Sequence, residues 1–325
     1  QDMRVAVTGG SGVVGKAVLR HLVDAGHEVR ALARSAEASA TLAGLGASVV
    51  HGDLLDRSAV DRLVSGSERV FHVAGVNELC LRDHSAMWRV NVDGALGVLE
   101  ASARAGVKRF VHTSSAVTIG EEDGAVATET SLHRGHFLSE YERSKTVAER
   151  LVLDNGGDTE VVSVNPSSVQ GPGRATGTGA LLLAAARGKL PVLVDTTISL
   201  VDIEDCARGH LLAADGGKAG ERYILSGGTL TVRSAMKVLN RAMGERGRPW
   251  FLKPAAVTAL APVVDAGFRM AGRRSPLCPE SARVLLHGHR HDGTKASRDL
   301  GLAYTPVEST LERTVEWFRH QGLLD

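Results

Sequence analysis

The chain has 325 residues, 43% hydrophobic and 23% charged, with a formal net charge of +1. That is ordinary globular composition, long enough for a large core, and it carries no basic excess of the kind a nucleic-acid partner requires. No run approaches the roughly 18 uninterrupted apolar residues of a membrane span, and no basic n-region with a small-residue cleavage site is read at the N-terminus. A cytoplasmic chain with no membrane and no nucleic-acid partner is therefore expected. Cys80, Cys206 and Cys278 are scattered and odd in number. They are expected to be three free, buried thiols, with no disulfide framework and no CxxC metal spacing.

In chain order, six β-rich runs (RVAVTG, EVRALAR, ASVVHGD, RVFHVAG, RFVHTSS and EVVSVNP) alternate with amphipathic helical stretches from Met3 to about Asn165. The runs are continuous Val, Ile and Phe rather than alternating, as in strands covered on both faces. An α/β fold is predicted: a Rossmann-type, doubly wound parallel sheet. After Pro166 a Gly/Thr-rich loop runs to Gly179. A helix (about Ala180–Gly188), a short strand (Pro191–Val194), a helix (about Glu204–Asp215) and a strand around Tyr223 follow. The remainder is expected to be mostly helical. Residues 1–165 with about 196–226 are assigned to the dinucleotide-binding domain. Residues of about 166–195 and 227–325 are assigned to a smaller, mostly helical substrate lobe.

Between the first strand and a helix from Val13 to Ala25 lies Thr8-Gly9-Gly10-Ser11-Gly12-Val13-Val14-Gly15. Gly9 permits the tight turn, Gly12 lets the backbone approach a pyrophosphate, and Gly15 lets helix and strand pack closely. Ser11 and Val13 sit on the same loop, and the helix N-terminus supplies free N–H donors. At the end of the second strand no acid stands where an NAD enzyme places one to hold the ribose hydroxyls. Arg34 is there instead, and a guanidinium suits a 2′-phosphate. NADP(H) is the expected cofactor, ahead of NAD(H).

Tyr141 and Lys145 are four apart in a helical pattern running to about Leu153, so phenol and ammonium share a face. A neighbouring cation lowers the pKa of a phenol, which otherwise sits near ~10. Lys145 could also bond the nicotinamide ribose. Ser115, at the end of the fifth strand, could orient a substrate oxygen toward the tyrosine. His287, His289 and His291 alternate in a way that can ligate metal. Asp292 is the only nearby partner in sequence, so a polar loop with no metal is expected.

TGGSGVVG, GDLLD (Gly52–Asp56), FHVAG, RVNVDGALGVLEA, HTSSAV, YERSK and NPSSVQGPG together resemble an extended short-chain dehydrogenase/reductase. The likeness continues through LVDIEDCARGHLLAA, GERYILSG and DGTKASRDLGL. The chain is most similar to the dihydroflavonol-4-reductase-like branch and its bacterial, hopanoid-associated epimerase-like relatives. The resemblance implies that Ser115, Tyr141 and Lys145 are catalytic and that Asp53 and Leu54 recognise the adenine. It puts Arg34 on the 2′-phosphate, Ala74 and Gly75 beside the ribose, and Pro166 against the nicotinamide. Asn91 stands where the family often has Asn, in a role that could be structural. A homodimer through helices around Met87–Ala105 and Tyr141–Asp154 is also implied.

Sugar-nucleotide 4,6-dehydratases carry an Asp-Glu pair after the strand-five Thr, where this chain has Ser114-Ser115. Epimerases usually hold NAD and place an arginine in the region of Thr196–Asp202, where this chain has none. The expected function is an NADP(H)-dependent reductase or dehydrogenase acting on a ketone or secondary alcohol of a small, hydrophobic molecule. An NAD-dependent sugar-nucleotide epimerase and a non-catalytic dinucleotide sensor remain the alternatives.

Overall fold

A computed structural model describes residues 3–244, 249–275 and 277–324. Its first half is a strict alternation: β1 (Arg4–Thr8), α1 (Val13–Asp24), β2 (Glu28–Ala33), α2 (Ala36–Gly44), β3 (Ser48–His51), α3 (Arg57–Val64) and β4 (Arg69–His72). A short α4 (Ser85–Trp88) runs through a π-helical turn (Arg89–Gly94) into α5 (Ala95–Arg104). Then come β5 (Arg109–Thr113), a 3₁₀ turn (Ala116–Ile119), α6 (Glu140–Asp154) and β6 (Glu160–Pro166). The second half holds β7 (Ser168–Gln170), α7 (Thr178–Ala186), β8 (Val192–Val194), β9 (Thr197–Asp202), α8 (Ile203–Gly216), β10 (Arg222–Leu225) and β11 (Gly228–Thr231). It ends with α9 (Val232–Met243), β12 (Trp250–Leu252), α10 (Pro254–Met270), α11 (Pro279–His287), α12 (Thr294–Leu300) and α13 (Val307–His320).

Seven strands form one parallel sheet in the order β10-β6-β5-β4-β1-β2-β3. The order reverses between β1 and β4, and open α/β sheets bind their ligands in the crevice at such a point. Because side chains alternate along a strand, Val5 and Val7 pack with Leu19 and Leu22 of α1 and Ala207 of α8, while Ala6 faces Leu63 of α3 and Leu99 of α5. Both faces are thus closed by apolar helices, and a fully buried leucine contributes about 2 kcal/mol. This confirms the predicted doubly wound sheet.

The second half departs from the sequence reading in its strands. β9 joins β7 in parallel and β11 in antiparallel, making a separate three-stranded sheet, and β12 pairs with β8. These strands are three to six residues long, too short for a period to stand out. Above them α7, α9 and α13 share a core built on Met236, Leu239, Val315 and Phe318.

The cysteine expectation is corrected. Cys80 and Cys278 form a disulfide, with Cα atoms 5.9 Å apart and 198 residues between them in sequence. A bond between such distant positions leaves no spacing signal. Cys206, buried and free, fits the expectation. The cross-link fastens the loop after β4 to the first turn of α11, where the Cys278 side chain caps the helix.

Candidate active site

The helices around β1 show how its phosphate turn differs. Ser35, Asp56 and Ser139 cap α2, α3 and α6 with their side chains. α1 begins at Gly12 with no side-chain cap and no acid in its first turn. Its leading N–H groups are therefore free for an anion. Gly9 lies at φ +70°, and a Cβ there would come within 2.5 Å of Ala74 N. At Gly15 a Cβ would meet the Gly9 carbonyl, with its carbon at 2.7 Å and Gly10 Cα at 2.8 Å. The turn is thus packed backbone to backbone, with Ser11 half-buried and Val13 packed against the core beneath it. The cradle fits the pyrophosphate of a nicotinamide dinucleotide.

The flanks of the crevice hold the other expected residues. Arg34 follows β2 with 75% of its side chain exposed, and its Nη1 is 3.7 Å from Asp53 Oδ2 at the end of β3. Asp53 Oδ1 accepts the Leu55 N–H, and Leu54 is buried. Ala74 and Gly75 lead out of β4. The Ala74 N–H points to Thr8 Oγ1 (3.4 Å), which also meets His72 Nδ1 at 2.8 Å. Asn91, in the π-helical turn, accepts the Val76 N–H at 2.7 Å and donates to Val76 O and to Ser144 Oγ. It thereby fixes the loop after β4 against α6. Pro166 ends β6, buried beside Leu225 of β10.

Lys145 is buried, and its Nζ donates to Thr113 O at 2.7 Å. A Cβ on Gly75 would lie 3.7 Å from that Nζ, so the ammonium faces the loop where a ribose would run. Burial lowers its pKa to about 8, against a smaller opposing pull from Glu149. One turn earlier, burial raises the Tyr141 phenol above its ordinary value, opposed by a hydrogen bond with Ser115 and by the charge of Arg174. The structure thus unites Ser115, Tyr141 and Lys145 on one wall. The cation whose field reaches the phenol is Arg174, a residue the sequence reading passed over as part of a Gly-rich loop. Burial pulls the Arg174 pKa down, and its Nε has no hydrogen-bond partner.

Beneath Ser115 lies a second group missed from sequence. Glu149 Oε2 accepts from Ser163 Oγ (3.0 Å) and Asn165 Nδ2, and Oε1 meets Arg222 Nη1 at 3.2 Å. Asn165 Nδ2 also reaches Ser115 O at 3.2 Å, and Thr118 donates to the same carbonyl at 2.8 Å. A buried carboxylate requires such partners. Here they hold the backbone that aims Ser115.

A glycine cradle at the switch point and a Ser-Tyr-Lys wall facing it define a nicotinamide-dinucleotide enzyme. The model of the NAD-dependent epimerase/dehydratase family matches residues 5–226. A putative dihydroflavonol 4-reductase from Synechocystis sp. is 32% identical over 97% of this chain and 94% of its own. Sterol demethylase protein B from Methylococcus capsulatus is 31% identical over 99% and 100%. The crystal structure of gox2253 superposes with a TM-score of 0.85 at 31% identity, covering both chains completely. The chain belongs to the NAD-dependent epimerase/dehydratase family, among the extended short-chain dehydrogenases/reductases, and is an oxidoreductase. No helix among the described residues is long and apolar enough to cross a membrane.

Proposed function

We propose that the protein is an NADP(H)-dependent reductase or dehydrogenase working on a ketone or secondary alcohol of a small, hydrophobic molecule. The observation that carries the reading is that Tyr141, one helical turn from Lys145, hydrogen-bonds Ser115 and lies within the field of Arg174. When bound, the nicotinamide supplies or accepts hydride. Tyr141, kept protonated by its burial, donates a proton from Oη to the carbonyl oxygen, and takes it back in the reverse direction. The Ser115 hydroxyl orients that oxygen. Lys145, held on Thr113 O, binds the ribose side, and Arg174 supplies the positive charge that reaches the phenolate as it forms.

Arg34 supports the NADP(H) preference, since it is exposed and its Asp53 contact is long enough to be exchanged for a phosphate. Exposed Leu181 on α7 and Leu260 and Val263 on α10 favour an apolar substrate, as does the sterol in one relative's name. The same proposal assigns dinucleotide binding to residues 1–165 with 196–226, and substrate binding to 166–195 with 227–325. It also includes a homodimer through α5 and α6.

The test is calorimetric titration with NADPH and NADH, followed by turnover on a ketone panel. NADPH is expected to bind at least tenfold tighter than NADH, and Arg34→Ala to erase the difference. Tyr141→Phe is expected to keep binding and lose about 10²-fold or more in kcat. No binding of either dinucleotide would sink the reading. Tighter binding of NADH would redirect the search to sugar nucleotides and an epimerase.

A further inference from the structure

The alternating histidines, expected from sequence to form a polar loop, begin with His287 at the end of α11 and continue with His289 and His291 in the connection to α12. The chain turns at Gly288 (φ +64°), His291 forms a β-bridge with Ala127, and the rings of His287, His289 and His291 lie side by side. They face Glu121, just beyond the 3₁₀ turn that follows Ser115. Glu121 is 2% exposed; the side chains of His287 and His291 are 7% and 3% exposed, and that of His289 13%. Asp292, the partner suggested by sequence, instead accepts the Thr294 N–H at the start of α12.

We infer that Glu121, His287, His289 and His291 form a binding site for one divalent transition-metal ion of the zinc type. Glu121 Oε1 lies 3.3 Å from His287 Nε2 and 2.7 Å from His289 Nδ1, and Oε2 lies 4.0 Å from His291 Nε2. Ligands about 2.0–2.1 Å from a tetrahedral zinc stand roughly 3.3 Å from one another. Glu121, His287 and His289, whose ligand atoms all lie within 4.8 Å of one another, therefore close round a cation with small shifts, whereas His291 stands outside that group and has to turn inward to complete the set. Glu121 Oε2 and His291 Nε2, both buried, have no hydrogen-bond partner. Buried polar atoms are ordinarily satisfied, and a cation would satisfy both.

Three imidazoles with one carboxylate are a borderline-soft set that suits zinc better than magnesium or calcium. The charges nearby permit it. Arg134, which donates to the Glu121 backbone carbonyl, is already ion-paired with Glu142, and His133 lies beyond, 3.7 Å from the same Glu142. With His291 turned inward as the fourth, the protein ligands leave no open position, and the ion would be structural. It would tie the segment following Ser115 to one 168 residues further along the chain, and it stands apart from hydride transfer.

The test uses untagged, full-length protein dialysed against EDTA and titrated with zinc by calorimetry, and with cobalt by visible absorption. One zinc per chain with micromolar or tighter affinity is expected, with the strong visible bands of four-coordinate cobalt and a chelator-reversible rise in Tm of a few degrees. His289→Gln and Glu121→Gln should each weaken zinc binding at least tenfold. His320→Gln, an exposed histidine elsewhere, should leave it unchanged. Circular dichroism reports whether each variant is folded. Should the site variants fail to fold, wild type alone decides. Zinc uptake below one-tenth equivalent, or cobalt spectra without tetrahedral bands, overturns the proposal, and so does unchanged affinity in folded His289→Gln.

Discussion

Replacing Gly15 by alanine inserts one methyl group between α1 and the turn it packs on. That methyl would sit 2.7 Å from the Gly9 carbonyl carbon and 2.8 Å from Gly10 Cα, and nearer still to the Gly9 oxygen. Ordinary contact begins at 3.4 Å, so the turn and the first turn of α1 must separate by at least 0.6–0.7 Å. All the opposing atoms are backbone, and no side chain can swing away. Overpacking of this kind costs about 1–3 kcal/mol. Because the displaced N–H groups are those offered to the pyrophosphate, dinucleotide affinity should fall about 10- to 100-fold, or roughly 1.4–2.7 kcal/mol. Gly97 is the matched control. It lies within α5 with nothing inside 4 Å of its would-be Cβ. There alanine removes the helical cost of glycine and should stabilise by about 1 kcal/mol without touching binding. Calorimetric titration with NADPH and thermal unfolding of both variants decide the matter. Gly15→Ala binding within twofold of wild type would refute the argument from close backbone packing.

The remaining predictions concern a buried charge and a cross-link. Lys145 should titrate near pH 8 rather than 10.5 in the dinucleotide-free protein, as followed by NMR of its labelled Cε. A folded-state pKa below the unfolded one means that the cation is penalised in the fold. Stability should therefore rise between about pH 8 and 10.5, by on the order of 3 kcal/mol from this group; relief absent in Lys145→Met confirms the source, and a Lys145 titrating near 10.5 would contradict its burial. Cys80→Ser opens a loop of 198 residues. The chain-entropy model sets its cost at roughly 5 kcal/mol, so a urea midpoint unchanged from oxidised wild type would contradict the cross-link.

Strands β1 to β6 were legible because each is a short apolar run alternating with helical stretches, and all but the edge strand β3 are largely buried. The glycine cradle was legible because the turn admits no other residue at Gly9 or Gly15. Ser115, Tyr141 and Lys145 became legible once three weak signals fell in the expected order. What escaped depends on distances along the chain that leave no local trace. Glu121 meets His289 across 168 positions, and Glu149 meets Arg222 across 73. Arg174 is the only charge in the stretch Gly171–Gly179, which was the one available hint. The strands β7, β9, β11 and β12 escaped because sheets of two or three short strands are specified by neighbours rather than by their own pattern.

Glu280, in the first turn of α11, accepts the Cys80 N–H on one oxygen (2.7 Å) and the Glu140 N–H on the other (2.8 Å). With the adjacent disulfide, it binds the loop after β4 and the start of α6 to a single point. Those two segments border the cleft beside Tyr141, so they move as one block with α11 and offer no independent doorway. Arg174, in the Gly-rich stretch from Gly171 to Gly179, keeps its Nε buried and without a hydrogen-bond partner, so it belongs to the wall around Tyr141 and not to the surface.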